Sequence, residues 1–396
     1  MVSSVIEALR SRWVHASVAS LLYWFTSHLL MAFVPIRMNA LGASDLSIGG
    51  AVAARSVLPF LFALWAGQLS DRLGGQRLLI PSALLMAATG PLHAVSLAGW
   101  QFTLAQAVFG LATVGVWISL QAVITHAGAG QTLRNNLALF TLAWGIGLAV
   151  GPVAGALIYE SLGFAVLCWV FATMSLLIVV SAQWIPWDVA REAERTSVAA
   201  PFRTAVAGLL GRPAIRSVLL SSFVTHYINS IRTSFYPVIL ERQGITVSQI
   251  GVLLFVTGAI SLLIRALLPA LLRAYRPGPV LVVSTVVGVV GITATPALPG
   301  MILLSVAAVA IGCSLGINPP VTVELMARFT TPTERGVSAG LRVTVNRLAQ
   351  FVQPVMFGGA ASVVGLVAAF PASGVVLGGL TWAMARTTRS VRVPED

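Results

Sequence analysis

The sequence predicts an all-α membrane protein built as two six-helix bundles. Three observations predict it. Hydrophobic residues make up 57% of the 396 positions and charged residues only 9%, with mean hydropathy +0.91. No water-soluble domain of this size is so apolar. Apolar runs recur that are long enough, at ~1.5 Å rise per residue, to cross a ~30 Å hydrocarbon core. The second half also repeats the first at a constant offset.

Twelve spans are read: residues 14–36, 47–69, 78–97, 102–124, 136–159, 163–186, 214–239, 247–271, 279–298, 301–326, 338–361 and 364–385. Pro59, Pro81, Pro152, Pro269 and Pro354 fall inside spans, where neighbouring helices re-satisfy the freed backbone groups. Residues 1–13 carry Glu7, Arg10 and Arg12 and lead into a full-length span, so no cleavable leader is expected. The polar stretch 188–213 separates an N-terminal bundle, 1–187, from a C-terminal bundle, 214–396. Shifting by 202 residues lays Phe33 on Phe235, Pro35 on Pro237, Gly42 on Gly244, Ile48 on Ile250, Gly49 on Gly251 and Pro152 on Pro354. Six-helix halves in the same orientation follow.

The net charge of +12 comes entirely from arginine, 24 residues with no lysine. The arginines are scattered over short loops, so nucleic acid is excluded as a partner. Seventeen lie at the ends and loops on the side of both termini. Only Arg37 and Arg242 lie on the other side, so the termini are expected to be cytoplasmic. Cys168 and Cys313 sit in apolar runs and read as packing residues. The sequence offers no paired carboxylates, metal-spaced His/Cys cluster or nucleotide loop. Neither an enzyme nor an ATP-driven pump is expected, and neither is a cofactor.

Five arginines remain within spans: Arg55, Arg232, Arg265, Arg342 and Arg347. A central Arg costs ~2.5–3.5 kcal/mol to insert, so the deep ones are expected to face protein or a wet cavity. Arg265 lies near enough to a span end to snorkel. Arg342, Asn346, Gln350 and Gln353 recur at spacings of four, four and three, which puts them on one helical stripe. Span 7 carries His226, Asn229 and Arg232, and span 4 a weaker stripe of Gln106, Thr113, Trp117 and Gln121. Each such residue is either a cavity wall or half of an interhelical hydrogen bond. Glu324 is the one acidic residue clearly within a span. It is expected to pair with Arg342, either as a gate or as a static contact. Arginines without a cavity carboxylate favour an anionic substrate, since guanidinium pairs bidentately with carboxylate and phosphate. His28, His126, His226 and Glu324 are the candidates for carrying a coupling proton.

Two motifs carry a family resemblance. Gly67-Gln-Leu-Ser-Asp71-Arg72-Leu-Gly74-Gly-Gln-Arg77, read as a very short turn between spans 2 and 3, resembles the G-x-L-x-D-R-x-G loop of the major facilitator superfamily. Gly75-Gln76 departs from it where basic residues are common. Gly147-x-x-x-Gly151-Pro152-x-x-Gly155-Ala156 is similar to the G-x-x-x-G-P-x-x-G-G stretch of drug:proton antiporters in that superfamily. Gln106 stands where many proton-coupled members carry Arg. The resemblance implies a major facilitator fold with a central cavity lined by helices 1, 4, 7 and 10 and completed by 2, 5, 8 and 11. It implies a monomeric secondary transporter of the cell (inner) membrane, bacterial by its resemblance, that exports a small organic compound or drug by alternating access with proton coupling. An importer of organic anions and a non-transporting receptor are the alternatives. On this reading Arg55, Arg232, Arg347, His226, Asn229, Asn346, Gln350, Trp117, Gln121 and His28 bind substrate. Gly67, Asp71, Arg72, Gly74, Arg77, Gly151, Pro152, Gly155, Glu324 and Arg342 serve gating.

Overall fold

The computed structural model describes residues 12–73, 75–125, 130–185, 202–331 and 334–389, and nearly all of them are helical. In chain order the helices are α1 (Arg12–Met31), α2 (Phe33–Ala40), α3 (Asp45–Leu73), α4 (Gly75–Val95), α5 (Gly99–Thr125), α6 (Gly130–Leu162) and α7 (Phe164–Ala182). They continue as α8 (Phe202–Gly211), α9 (Pro213–Thr233), α10 (Phe235–Arg242), α11 (Val247–Ala274) and α12 (Pro277–Ala294). The last are α13 (Gly300–Arg328), α14 (Arg335–Val364) and α15 (Leu366–Arg389). Among the described residues nine segments are long and apolar enough to cross a membrane. The remaining three of the twelve spans are α3, α9 with α10, and α14. These are the spans that carry Arg55, Arg232, Arg342 and Arg347.

The chain divides into two compact units. One lies within Met1–Arg195 together with Gly244–Phe255, the other within Thr196–Gln243 and Val256–Asp396. The 202-residue offset reappears in the backbone. Span 1 breaks at Ala32 and span 7 at Ser234. Gly42 and Gly244 both turn through positive φ, +76° and +81°, as do Gly163 and Gly365 at +88° and +84°. A residue with a Cβ would be strained there. Each half of the chain therefore repeats the other's reversals.

In the first unit α6 packs on α1 through glycine. A Cβ on Gly147 would stand 2.6 Å from the Phe25 nitrogen, and one on Gly151 2.8 Å from the Phe25 carbonyl oxygen. A Cβ on Gly155 would run into the Leu29 carbonyl. The glycines are what let these two backbones meet. In the second unit a buried polar network joins α9, α12 and α13. Ser221 donates to Asn318 Oδ1 at 2.5 Å and Thr285 does so at 3.1 Å, while Asn318 Nδ2 donates to Ser284.

Most of the Asp71 motif is helical. Backbone from Gly67 through Leu73 continues α3, and helix resumes at Gly75. The Asp71 and Arg72 side chains and all of Gly74 lie outside the described residues, as does His126. Arg77 is exposed in the first turn of α4. Part of the 188–213 stretch, Phe202–Gly211, is also helix rather than loop. Residues 186–201 lie outside the described residues.

Candidate functional site

The second unit gathers the sequence-predicted polar residues on α9 and α14. Asn346, Arg347 and Gln350 are half-buried on α14, and Arg347 donates to Gln350 Oε1 at 3.0 Å. The Asn346 Oδ1 atom is buried with no hydrogen-bond partner among the described residues. Across from them on α9, His226 lies within electrostatic reach of Arg342 and Arg347. Its Nδ1 donates to the Ser222 carbonyl at 2.9 Å, which fixes the ring. A proton on His226 and an anion beside Arg342 and Arg347 would thus share one electrostatic environment.

Other predicted residues fall differently. Arg232 is wholly enclosed at 0% exposure. Its Nε donates to Asn229 Oδ1 at 3.0 Å, and Nη1 and Nη2 are buried without hydrogen-bond partners among the described residues. It does not open on a hollow in this conformation. Gln353, the last residue of the stripe, is also buried, accepting from Ser230 at 2.6 Å and Ser234 at 3.4 Å. The expected Glu324–Arg342 pair is replaced by Glu324–Arg328 at 2.8 Å, one turn along the same helix. A helical i,i+4 neighbour needs no second helix to bring the charges together, so it wins.

In the first unit Trp117 belongs to an aromatic cluster that sequence reasoning missed. Its ring centroid lies 5.1 Å from Trp24, 5.2 Å from Phe140 and 6.5 Å from Tyr23, and Trp24 lies 5.6 Å from Trp144. His28 sits 5.7 Å from Trp24 and donates from Nδ1 to the Trp24 carbonyl. A signal was available. Membrane tryptophans favour the interfaces, and Trp24, Trp117 and Trp144 all lie well inside spans. Arg55 is half-buried on α3, where Gly110 of α5 crosses close to its carbonyl. Gln121 is exposed.

Outside the spans, Arg212 at the start of α9 clasps the turn between α13 and α14. It donates bidentately to Glu334, at 3.0 and 2.7 Å, and to the Phe329 carbonyl at 2.8 Å. The Thr331 N–H also donates to Glu334. These bonds, Arg212 first, pull the Glu334 carboxyl below its usual value of 4.5 to about 2. The two partners are 122 residues apart, so no local pattern announces them.

A profile of the Major Facilitator Superfamily matches residues 16–354. The chain belongs to the Major Facilitator Superfamily. It is thus a transporter embedded in the membrane, with a small-molecule substrate, and not an enzyme. Among curated superfamily relatives it is 26% identical over 353 residues to the uncharacterized transporter STM4428 of Salmonella typhimurium, covering 82% of this chain and 83% of that one. It is 29% identical over 248 residues to the multidrug resistance protein MdtG of Citrobacter koseri, covering 59% of this chain and 57% of MdtG. It is 25% identical over 176 residues to the inner membrane transport protein YajR of Escherichia coli, spanning 44% of this chain and 38% of YajR. Solved structures share the fold at low identity. A point mutant of the nucleoside transporter NupG superposes with TM-score 0.81 at 13% identity, covering 96% of this chain and 99% of that one. The human organic anion transporter MFSD10 gives 0.65 at 18%, covering 94% and 98%.

Proposed function

We propose that this superfamily member is a proton-coupled exporter of a small organic anion, working in a bacterial inner membrane by alternating access. The N- and C-terminal bundles, joined through 188–213, are read as the two moving parts, and both termini as cytoplasmic. The observation that carries the anion is the α14 face. Arg342, Asn346 and Arg347 are held half-buried within a span, opposite His226. Arginine is costly there, and a carboxylate or phosphate group on the substrate offsets that cost by bidentate pairing. The Glu324 carboxylate is already engaged by Arg328, which argues against a cationic substrate.

His226 is assigned the coupling proton. Imidazole titrates near neutrality when unperturbed. Export driven by proton entry requires the proton and the anion to load in alternation, so that each leaves before the other binds. His28 takes the second place. Arg55 is kept as a substrate-binding candidate within the first bundle, and Arg232 is assigned to holding Asn229. The Gly67–Arg77 segment and the Gly151-Pro152-Gly155 bend are assigned to the conformational change. The names organic anion transporter, multidrug resistance protein and inner membrane transport protein among the similar proteins support this reading.

Flux into proteoliposomes under an imposed pH gradient tests it. Arg347→Gln is expected to slow transport of an aromatic carboxylate about tenfold or more, the scale of one lost charge-assisted bond. His226→Gln is expected to keep exchange while abolishing the response to the gradient. Unchanged transport in both Arg342→Gln and Arg347→Gln removes the anion reading. Accumulation in the direction of proton entry makes the protein an importer.

A further inference from the structure

A groove of about 580 Å³ opens in the second unit between α9, α14 and α15, away from the polar α14 stripe. Its walls are carbon. Phe223 and Tyr227 line it from α9, Leu348 and Met356 from α14, and Val376 from α15. Its two hydroxyls, those of Tyr227 and Ser373, lie beside each other. The deep part therefore offers little to a polar solute. The single charged residue in the lining is Arg216, exposed in the first turn of α9.

Depth gives the groove its meaning. From Arg216 to Tyr227 is eleven residues of helix, about 16 Å, or close to half of a ~30 Å hydrocarbon core. The groove is as long as one leaflet. Its mouth lies at headgroup level. Ser217 donates to the Met384 carbonyl at 3.4 Å, which puts Arg216 level with the turn holding Trp382 and Arg386. Trp382 is 58% exposed and the Arg386 guanidinium sits 3.6 Å over its ring, the kind of pair that marks a membrane interface. The neighbouring Arg212 is already taken by Glu334 and Phe329. Among the described residues Arg216 makes no ion pair.

We propose that this groove holds one anionic phospholipid from the leaflet on the Arg216 side. Its acyl chain lies along Phe223 and Tyr227, and its phosphate rests on the Arg216 guanidinium. Apolar walls accept the chain of any lipid. Arg216 selects for negative headgroup charge, since an arginine at an anionic membrane surface favours it by an amount equal to about fivefold in affinity. The site is separate from the proposed substrate face, so it stands or falls independently of the transport reading.

Native mass spectrometry of the full chain, exchanged into phosphatidylglycerol or phosphatidylcholine, tests this. The protein is expected to retain phosphatidylglycerol about fivefold better. Arg216→Gln is expected to erase the preference while still binding both lipids, and Arg216→Lys to keep most of it. Ala372→Phe, which fills the groove from an exposed position, is expected to lower retention of both. Equal retention of the two lipids by the unaltered protein overturns the proposal. So does an undiminished preference in Arg216→Gln, or a dimer that Ala372→Phe disperses, since the groove would then hold a second copy.

Discussion

The seam between α1 and α6 and the seam between α9 and α14 are the same seam, 202 residues apart, held by opposite means. In the first, Gly147, Gly151 and Gly155 let α6 lie directly on the α1 backbone. In the second, the matching positions are Ala349, Gln353 and Phe357, all fully buried. Gln353 takes hydrogen bonds from Ser230 and Ser234 of the facing span. Phe357 stacks on Phe235 at 4.7 Å, where the first unit sets Gly155 against Phe33. Backbone contact leaves no room for functional groups along a seam. Side-chain contact spaces the helices apart, and the second unit uses that space for its amides and arginines. The repeat thus preserved the fold while one copy became a packing surface and the other a polar one.

Four substitutions and one titration probe that contrast. The largest effect is expected for Phe357→Ala, which removes the ring between Phe235 and Phe370. A cost of about 3–5 kcal/mol in unfolding free energy follows from the cavity left behind. A small loss would mean the seam collapses and is not ring-held. Next comes Gly155→Ala, whose methyl has no space beside Leu29 and Phe33, at about 1–3 kcal/mol. A neutral result would show that α1 moves aside freely. Gln353→Leu strands the Ser230 hydroxyl, while Ser234 keeps its bond to the Ser230 carbonyl, and is expected to cost about 1–2 kcal/mol. Gly359→Ala lies on the side-chain-held helix with nothing within 4 Å of the new methyl. It is expected to stabilise by up to ~1 kcal/mol. Destabilisation there would mean α14 is packed as tightly as α6.

The smallest effect concerns the Arg212–Glu334 clasp, which joins the ends of the same side-chain-held region. The carboxyl sits at about 2, below its ordinary 4.5. A depressed carboxyl contributes stability above its unfolded value and loses it as pH falls through the folded one. Thermal unfolding of Glu334→Gln should therefore run below the unaltered protein by a constant gap above pH ~5. The gap should close between pH ~4.5 and ~2. A gap that persists at the acid end would assign the clasp to packing rather than charge.

Much was legible in the chain itself. Hydropathy and run length determine the spans, because crossing hydrocarbon leaves a helix no alternative to apolar side chains and internally satisfied backbone. The 202-residue offset and the glycines at 147, 151 and 155 determine the repeat and one of its seams, since only glycine permits such approach. The polar stripe of α14 was readable for the same periodic reason. Tertiary structure alone decided how those polar residues are spent. It closed Arg232 and Gln353 into the interior, drew Trp24, Trp117 and Trp144 into one cluster, and set Arg212 on Glu334. Each of these depends on which neighbour lies nearest across distances that sequence spacing does not encode. A helix repeat says which face a residue takes, and packing says what meets it there.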